Sequence, residues 1–282
     1  MLLSQTNRVR VVIAKFYYFS LSIIIFLKGR IYGSRFNQDN ANEIPIIINN
    51  RNRLTYLLQL INFLENNNCL NIIIIDNNST YPPLIEYYSK CPYQVVHLQQ
   101  NIGYLALERS ELWRFIKKDY FVYTDPDVVP INECPNDFMR KFFNILQDHR
   151  FFTKIGFSLK IDDLPECYSE KNKVVAWESQ FYKNKLDDKL YIGKVDTTFA
   201  LHRPWSKISY KGRYKHLRSE FPYQARHLPW YEDSLNPTEE NNFYKSHAEI
   251  GGFWTIGYEN RSLASVIFSF NNTKHKVGNH SL

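Results

Sequence analysis

The folding options of this chain narrow most at three runs of β-branched or aromatic residues, Ile44-Pro45-Ile46-Ile47-Ile48, Ile72-Ile73-Ile74-Ile75 and Tyr120-Phe121-Val122-Tyr123. A strand that is apolar at successive positions has both faces covered, which is the condition of a strand in a parallel sheet flanked by helices. The intervening segments agree. Leu54 to Asn66 carries Leu57, Leu58, Leu60, Ile61 and Leu64 at helical spacing, and further pattern predicts a helix near 82–89, a strand over Tyr93 to Leu98, a helix over 104–117 and a strand over 120–124. Strand, helix and strand in that order imply right-handed crossovers and a sheet that binds ligands beyond the carboxyl ends of its strands. A helix over Phe138 to Gln147 follows, and then a less regular half.

The segments that leave these strands carry the chemistry. They are Asn49-Asn50-Arg51, Asp76-Asn77-Asn78, Asn101-Ile102-Gly103 and Asp125-Pro126-Asp127, and the parallel arrangement brings all four to one rim. Two carboxylates one residue apart at a strand end suit a hard divalent cation, which in turn neutralises a diphosphate. Each segment also has an ordinary reading. Asp-Pro-Asp makes a turn without any ligand, and Asp76-Asn77-Asn78-Ser79 caps a helix or closes an Asx turn.

With 282 residues, 44% of them hydrophobic, the chain can bury the core of one large α/β domain or two small ones. A net charge of +7 fits nucleic acid, an anionic membrane surface or an anionic substrate. No run of Lys and Arg interleaved with aromatics occurs, so no nucleic-acid partner is expected. The cysteines Cys69, Cys91, Cys134 and Cys167 form no Cys-x-x-Cys pair, and free, mostly buried thiols are expected. Asn77, Asn78, Asn260, Asn271 and Asn279 each begin a glycosylation sequon, two of them in the proposed ligand loop, which favours a cytosolic catalytic domain.

Residues 11–27 are the longest apolar stretch, interrupted by Lys15 and flanked by Arg8, Arg10, Lys28 and Arg30. Its length is borderline for crossing a bilayer, and its aromatic content and basic flanks suit a helix lying on anionic lipid. Residues 1–43 are therefore expected to be a membrane-associating segment and linker. Residues 44–282 are expected to form one catalytic domain, with a nucleotide-binding half at 44–130 and an acceptor half at 131–282.

Taken together, Asn49-Asn50-Arg51, Asp76-Asn77-Asn78-Ser79, Asn101-Ile102-Gly103 and Asp125-Pro126-Asp127 resemble the nucleotide-binding half of GT-A fold glycosyltransferases, especially glycosyltransferase family 2. The resemblance covers about residues 44–130 and thins beyond them. It implies an α/β fold with a Rossmann-like, mostly parallel sheet between helices, preceded by the membrane-associated helix. It also implies a metal-dependent transfer of one sugar from a nucleotide-diphosphate donor to a glycan or lipid-linked acceptor, with inversion. Mn²⁺ or Mg²⁺ would be held by Asp127, with Asp125 on metal or ribose and His227 as a late ligand. Asp76 would meet a pyrimidine imide, with Asn77 or Asn78 orienting the base. Asn49, Arg51, Asn101 and Gly103 complete the expected donor site, and Trp230 and Tyr231 are candidate walls for a sugar ring.

Asp196 falls where such enzymes place an acceptor-side acid, and Glu178 is the reserve. Asp196 lies between Val195 and Phe199, so partial burial and a basicity tuned by it are expected. The Gln-x-x-Arg-Trp signature of processive members is absent, which weighs against polymer synthesis. The resemblance suits a membrane-associated enzyme with a cytoplasmic domain, the alternative being a Golgi type II membrane protein.

Two rivals share these residues. Asp125-x-Asp127 also fits the nucleophile motif of haloacid-dehalogenase-like phosphatases, with Asp162-Asp163 or Asp187-Asp188 as the late acidic pair. That motif belongs on the first strand of its domain, whereas three strands are predicted before it here. The other rival is a catalytically silent module that holds a nucleotide or glycan in the same pocket.

Overall fold

A computed structural model describes residues 5–208 and 216–248, with residues 5–16 and 18 described by backbone alone. Helix α1 (Gln5–Tyr32) precedes the sheet. The expected alternation then follows: β1 (Ile46–Asn50), α2 (Thr55–Asn66), β2 (Ile72–Asp76), α3 (Pro82–Tyr88), β3 (Gln94–His97) and, after a broken helical stretch, β4 (Phe121–Thr124). These four strands pair in parallel in the order β3-β2-β1-β4. Because Ile46 pairs with both Ile72 and Val122, β1 and β2 end together at Asn50 and Asp76, while β4 ends at Thr124 opposite Ile48, so that Asp125 follows on beside the last residues of β1.

The double-sided burial of the Ile runs is visible in two clusters. Ile46, Ile48, Ile72 and Ile74 face Leu57, Leu60 and Leu64 of α2 together with Phe138 and Phe142 of α6 (Phe138–Asp148). Ile47, Ile73, Ile75, Phe121 and Tyr123 face Ala106, Leu107 and Ile208 on the other side. Each fully buried side chain of this size contributes roughly 1.5–3 kcal/mol relative to exposure, so a strand of alternating inward contacts on both faces is strongly held.

The predicted helix over 104–117 is not continuous. A 3-10 turn (Gly103–Leu105), α4 (Ala106–Arg109) and α5 (Trp113–Ile116) replace it. Ser110 breaks the run by adopting an extended backbone and donating its hydroxyl to the Leu107 carbonyl at 2.9 Å. The break lets Trp113 pack edge-on against Phe121, with centroids 5.8 Å apart.

The second half extends the same sheet with strands of mixed direction. They are β6 (Lys154–Gly156), β8 (Lys185–Asp187), β9 (Leu190–Ile192), β10 (Ala200–His202) and β11 (His216–Ser219). The full order is β3-β2-β1-β4-β10-β6-β11-β9-β8, with β10 antiparallel to both neighbours. Three short strands, β5 (Val128–Pro130), β7 (Ser158–Leu159) and β12 (Gln224–His227), make a second sheet in the order β5-β12-β7. Helix α7 (Lys171–Glu178) and helix α8 (Glu239–Ser246) complete the described elements used below.

Among the described residues no helix is long and apolar enough to cross a membrane. Helix α1 instead lays one side on the domain. Ser22 and Ile25 are buried, Phe19 meets Phe151 at 5.4 Å and Tyr32 meets Trp205 at 5.3 Å. Within the stretch expected as linker, Phe36 and Ala41 join the core, so it is partly packed rather than free of the domain. The four cysteines are free thiols, with Cys69 and Cys134 buried and Cys167 exposed. Asn260, Asn271 and Asn279 lie outside the described residues.

Candidate functional site

The register of β1 on β2 sets Asn50 beside Asp76, and the Asn77 amide continues the ladder to the Asn50 carbonyl at 2.8 Å. Asn49 and Asn50 are thus the last residues of a strand and not, as expected, part of the loop after it. Asn52, in the left-handed region at φ 53, binds the next loop across the rim. Its side-chain oxygen accepts from the amides of Thr80 (2.7 Å) and Tyr81 (3.0 Å).

Asn77 joins that loop to the third. Its amide group donates to the Gly103 carbonyl at 3.1 Å, and its oxygen accepts from the Ile102 amide at 2.8 Å. Asn49 reaches the same carbonyl at 3.4 Å, while the Asn101 oxygen accepts from the Gly103 amide at 2.9 Å. Gly103 has φ 67, which is why glycine suits this turn. The Asn residues anticipated as ligand contacts therefore first serve to lock three loops together.

Both oxygens of Asp76 are already engaged. Oδ1 accepts from the Ser79 amide at 3.1 Å, forming an Asx turn, and Oδ2 lies 3.1 Å from Nδ1 of His97. The ordinary reading of this motif is thus present in the structure, and His97, unnoticed in the sequence, stands exposed next to it on the edge strand. Asn78 sits half-buried at the top of the turn with φ 62. Arg51 is half-buried beyond β1.

Asp125 and Asp127 occupy the centre of the rim. The Asp125 amide donates to the Thr197 carbonyl at 2.9 Å, and the Thr197 hydroxyl donates to Asp125 Oδ2. Burial, reinforced by the negative charge of Asp127, pushes Asp125 well above the usual carboxylate range, against the opposing hydrogen bonds of Thr197 and Asn49. Asp127 points elsewhere. Its Oδ2 lies 3.5 Å from Nε2 of His227, because β12 pairs antiparallel with β5 and sets His227 opposite Val128.

Asp127 Oδ1 and His227 Nδ1 are both buried without a hydrogen-bond partner among the described residues. Burial holds His227 below the ordinary histidine range, and Arg53 adds to this, while Asp127 and Glu178 oppose it. A buried carboxylate oxygen and a neutral imidazole are suitable donors for Mn²⁺ or Mg²⁺. Among the described residues, however, no three His, Cys, Asp or Glu side chains stand grouped to hold a metal ion.

Three expectations need correction. Asp196 is not partly buried: its side chain is 63% exposed and pairs with Lys194 at 2.8 Å, since Val195 and Phe199 carry the burial on either side. Glu178 is buried, but its carboxylate is committed to Arg218 at 2.7 Å. Trp230 lies in the core, so it cannot wall a sugar ring, and Tyr231 donates its hydroxyl to Asp163 at 2.5 Å.

The acidic pairs required by the phosphatase reading are also placed elsewhere. Asp163 is held by Arg226 at 2.5 Å, and Asp187 lies on β8 at the far edge of the sheet from β3. Residues 207–218 are rich in Lys and Arg, and of these 209–215 lie outside the described part. Arg218 is buried on Glu178, and Lys207 is exposed.

Thr197, Arg53 and Tyr244 were not expected here: Thr197 holds Asp125, and Arg53, in the turn after β1, stacks on Tyr244 of α8. Thr197 has a faint signal, a hydroxyl next to the flagged Asp196. The other two have none, because their proximity depends on where α8 docks.

No protein-family model and no curated protein matches the chain. Among solved structures it is similar to TarS of S. aureus 1-349, at 14% identity and a TM-score of 0.33, over 57% of this chain and 47% of that one. A second TarS structure from S. aureus gives 14% identity and a TM-score of 0.35, over 57% of this chain and 28% of that one. The chain thus spans less than half the length of these structures, and likeness of this degree leaves function to the residues of the site.

Proposed function

We propose that this protein is a metal-dependent glycosyltransferase that moves one sugar from a nucleotide-diphosphate donor to a glycan or lipid-linked acceptor, with inversion. The observation that carries this reading is the buried, unpartnered Asp127 Oδ1 beside His227, at the strand-end rim that also holds Asp125. Asp127 and His227 would hold Mn²⁺ or Mg²⁺, with the carboxylate of Asp125 two residues away along the chain. When bound, the cation supplies charge neutralisation to a departing diphosphate.

The chain's own groups then divide the remaining work. The loops locked by Asn49, Asn77 and Asn101 form the wall on which a nucleoside rests, with Asp76 and His97 at its outer edge. Asp196, exposed and one residue from the Thr197 that holds Asp125, would exchange its ion pair with Lys194 for the proton of an acceptor hydroxyl. In that step the acceptor oxygen bonds to the anomeric carbon, and the bond to the diphosphate oxygen breaks with its electron pair. Helix α1, whose Tyr17, Ile24, Leu27 and Ile31 are exposed beside Lys28, is assigned by the same proposal to an anionic membrane surface.

The test is a panel of UDP- and GDP-sugars screened by thermal shift with and without Mn²⁺, followed by assay of nucleoside diphosphate release. A Mn²⁺-dependent shift and slow donor hydrolysis, both lost in Asp127→Ala, are expected. Absence of a shift with every nucleotide sugar would refute the proposal.

A further inference from the structure

Arg53, in the turn between β1 and α2, is 6% exposed. Its Nη1 donates to the side-chain oxygen of Asn241 on α8 at 2.6 Å, and its guanidinium lies 3.8 Å from the ring of Tyr244 and 5.1 Å from that of Tyr56. Its Nε is buried without a hydrogen-bond partner among the described residues. No described carboxylate forms an ion pair with it.

Two acids lie nearby, and neither forms an ion pair with Arg53 among the described residues. Glu240 spends one oxygen on the first turn of α2, accepting from the amides of Leu54 and Thr55 (both 2.9 Å) and from the Thr55 hydroxyl (3.1 Å). Glu232 feels the charge of Arg53 without pairing with it. A buried cation is costly without a counter-charge, and stacking on Tyr244 compensates only in part.

What Arg53 does approach is the candidate site. Arg53 follows Asn50, Arg51 and Asn52 past the carboxyl end of β1, the rim from which Asp125 and Asp127 also extend, and its guanidinium stacks on Tyr244. Helix α8 thereby brings Asn241 and Tyr244 against the turn that leaves β1.

We propose that Arg53, backed by Tyr244 of α8, is an anion-binding site that receives the diphosphate of the donor. The identity of that anion rests on the transferase reading; the existence of an anion site rests on the burial of Arg53 and its missing counter-charge. The unused Nε–H of the guanidinium can donate to a phosphate oxygen, and the Tyr244 hydroxyl is the second donor in this proposal. Asn241 and Tyr56 hold the fork in place.

Calorimetric titration of the full chain with pyrophosphate, UDP and GDP, each with and without MnCl₂, tests this. Wild type is expected to bind all three. Arg53→Gln should weaken each by about 10- to 100-fold whether or not metal is present, in line with loss of a charged hydrogen-bond pair. Arg53→Lys, which keeps the charge but loses the fork, and Tyr244→Phe should each weaken binding by a smaller factor, whereas Asp127→Asn should remove only the Mn²⁺-dependent part.

Unchanged pyrophosphate affinity in a folded Arg53→Gln variant, or no pyrophosphate binding by wild type, overturns the site. Should Arg53→Gln fail to fold, Arg53→Lys decides on the same criterion. Pyrophosphate bound through Arg53, with neither nucleotide bound nor any donor turned over, supports the anion site and refutes the transferase reading instead.

Discussion

Asp127 and His227 meet at 3.5 Å, Oδ2 to Nε2, and the contact is made by the backbone before it is made by the side chains. Strand β12 lies antiparallel to β5, and the Leu228 amide donates to the Asp127 carbonyl at 2.8 Å, so each residue is delivered to the other by main-chain pairing. Such delivery leaves little freedom for the pair to separate. It also makes each member separately testable.

Asp127→Asn and His227→Ala should each abolish stabilisation of the protein by Mn²⁺, while Asp196→Asn should leave it intact. Saturation at about a hundred times the dissociation constant is worth about 2.7 kcal/mol, a gain readable as a thermal shift. An equal Mn²⁺ response in wild type and Asp127→Asn would remove Asp127 from the metal site.

The buried pair of Glu178 with Arg218 supports a different prediction. Glu178→Gln leaves the Arg218 charge, 2% exposed, without its counter-ion, and should cost about 3–5 kcal/mol in urea unfolding. Replacing both residues together by Leu and Met should recover much of that loss, which a double-mutant cycle will show.

Gly156 links the sheet to the site. A methyl group there would come within 2.7 Å of Val195 Cγ1 and 2.9 Å of the Phe199 carbonyl, on either side of Thr197. Gly156→Ala should therefore cost about 1–3 kcal/mol and displace the 195–199 segment that holds Asp125. Loss of stability with Mn²⁺ affinity unchanged would show that the displacement does not reach Asp125.

Lys154 carries a pH signature. It lies 2% exposed on β6, its register neighbours are His202 and His216, and burial lowers its pKa from 10.5 to about 8, despite the opposing charge of Asp196. The unfolded chain thus binds more protons between about pH 8 and 10.5, so this residue's contribution to stability rises with pH across that window and is most unfavourable below it. Lys154→Met should be more stable than wild type at pH 7, by at most about 3 kcal/mol, and the advantage should shrink as pH rises from 8 to 10. Denaturation of both proteins over that range checks the sign.

Glu240→Ala should destabilise the protein by about 1 kcal/mol, since it strips three hydrogen bonds from the first turn of α2. It should also release α8, making the 239–246 segment cleavable at low protease concentration. Unchanged cleavage would mean that Asn241 and Tyr244 suffice to hold the helix.

Local periodicity determined the first half of this protein. Uninterrupted Ile runs require cover on both faces, and leucines at helical spacing supply it, so β1, α2, β2, α3, β3 and β4 were readable with their rim of Asn and Asp. The break at Ser110 escaped the pattern because a single hydroxyl competing for a carbonyl outweighs helical spacing in a segment that must seat Trp113. Tertiary structure alone decided the rest. Exposure of Asp196, the commitment of Glu178 to Arg218, the burial of Trp230 and the meeting of Arg53 with Tyr244 all depend on which distant strand or helix lies alongside. Neighbours along the chain set a residue's conformation, but only neighbours in space set its solvation and its partners, and the chemistry of a carboxylate or a guanidinium follows from the latter.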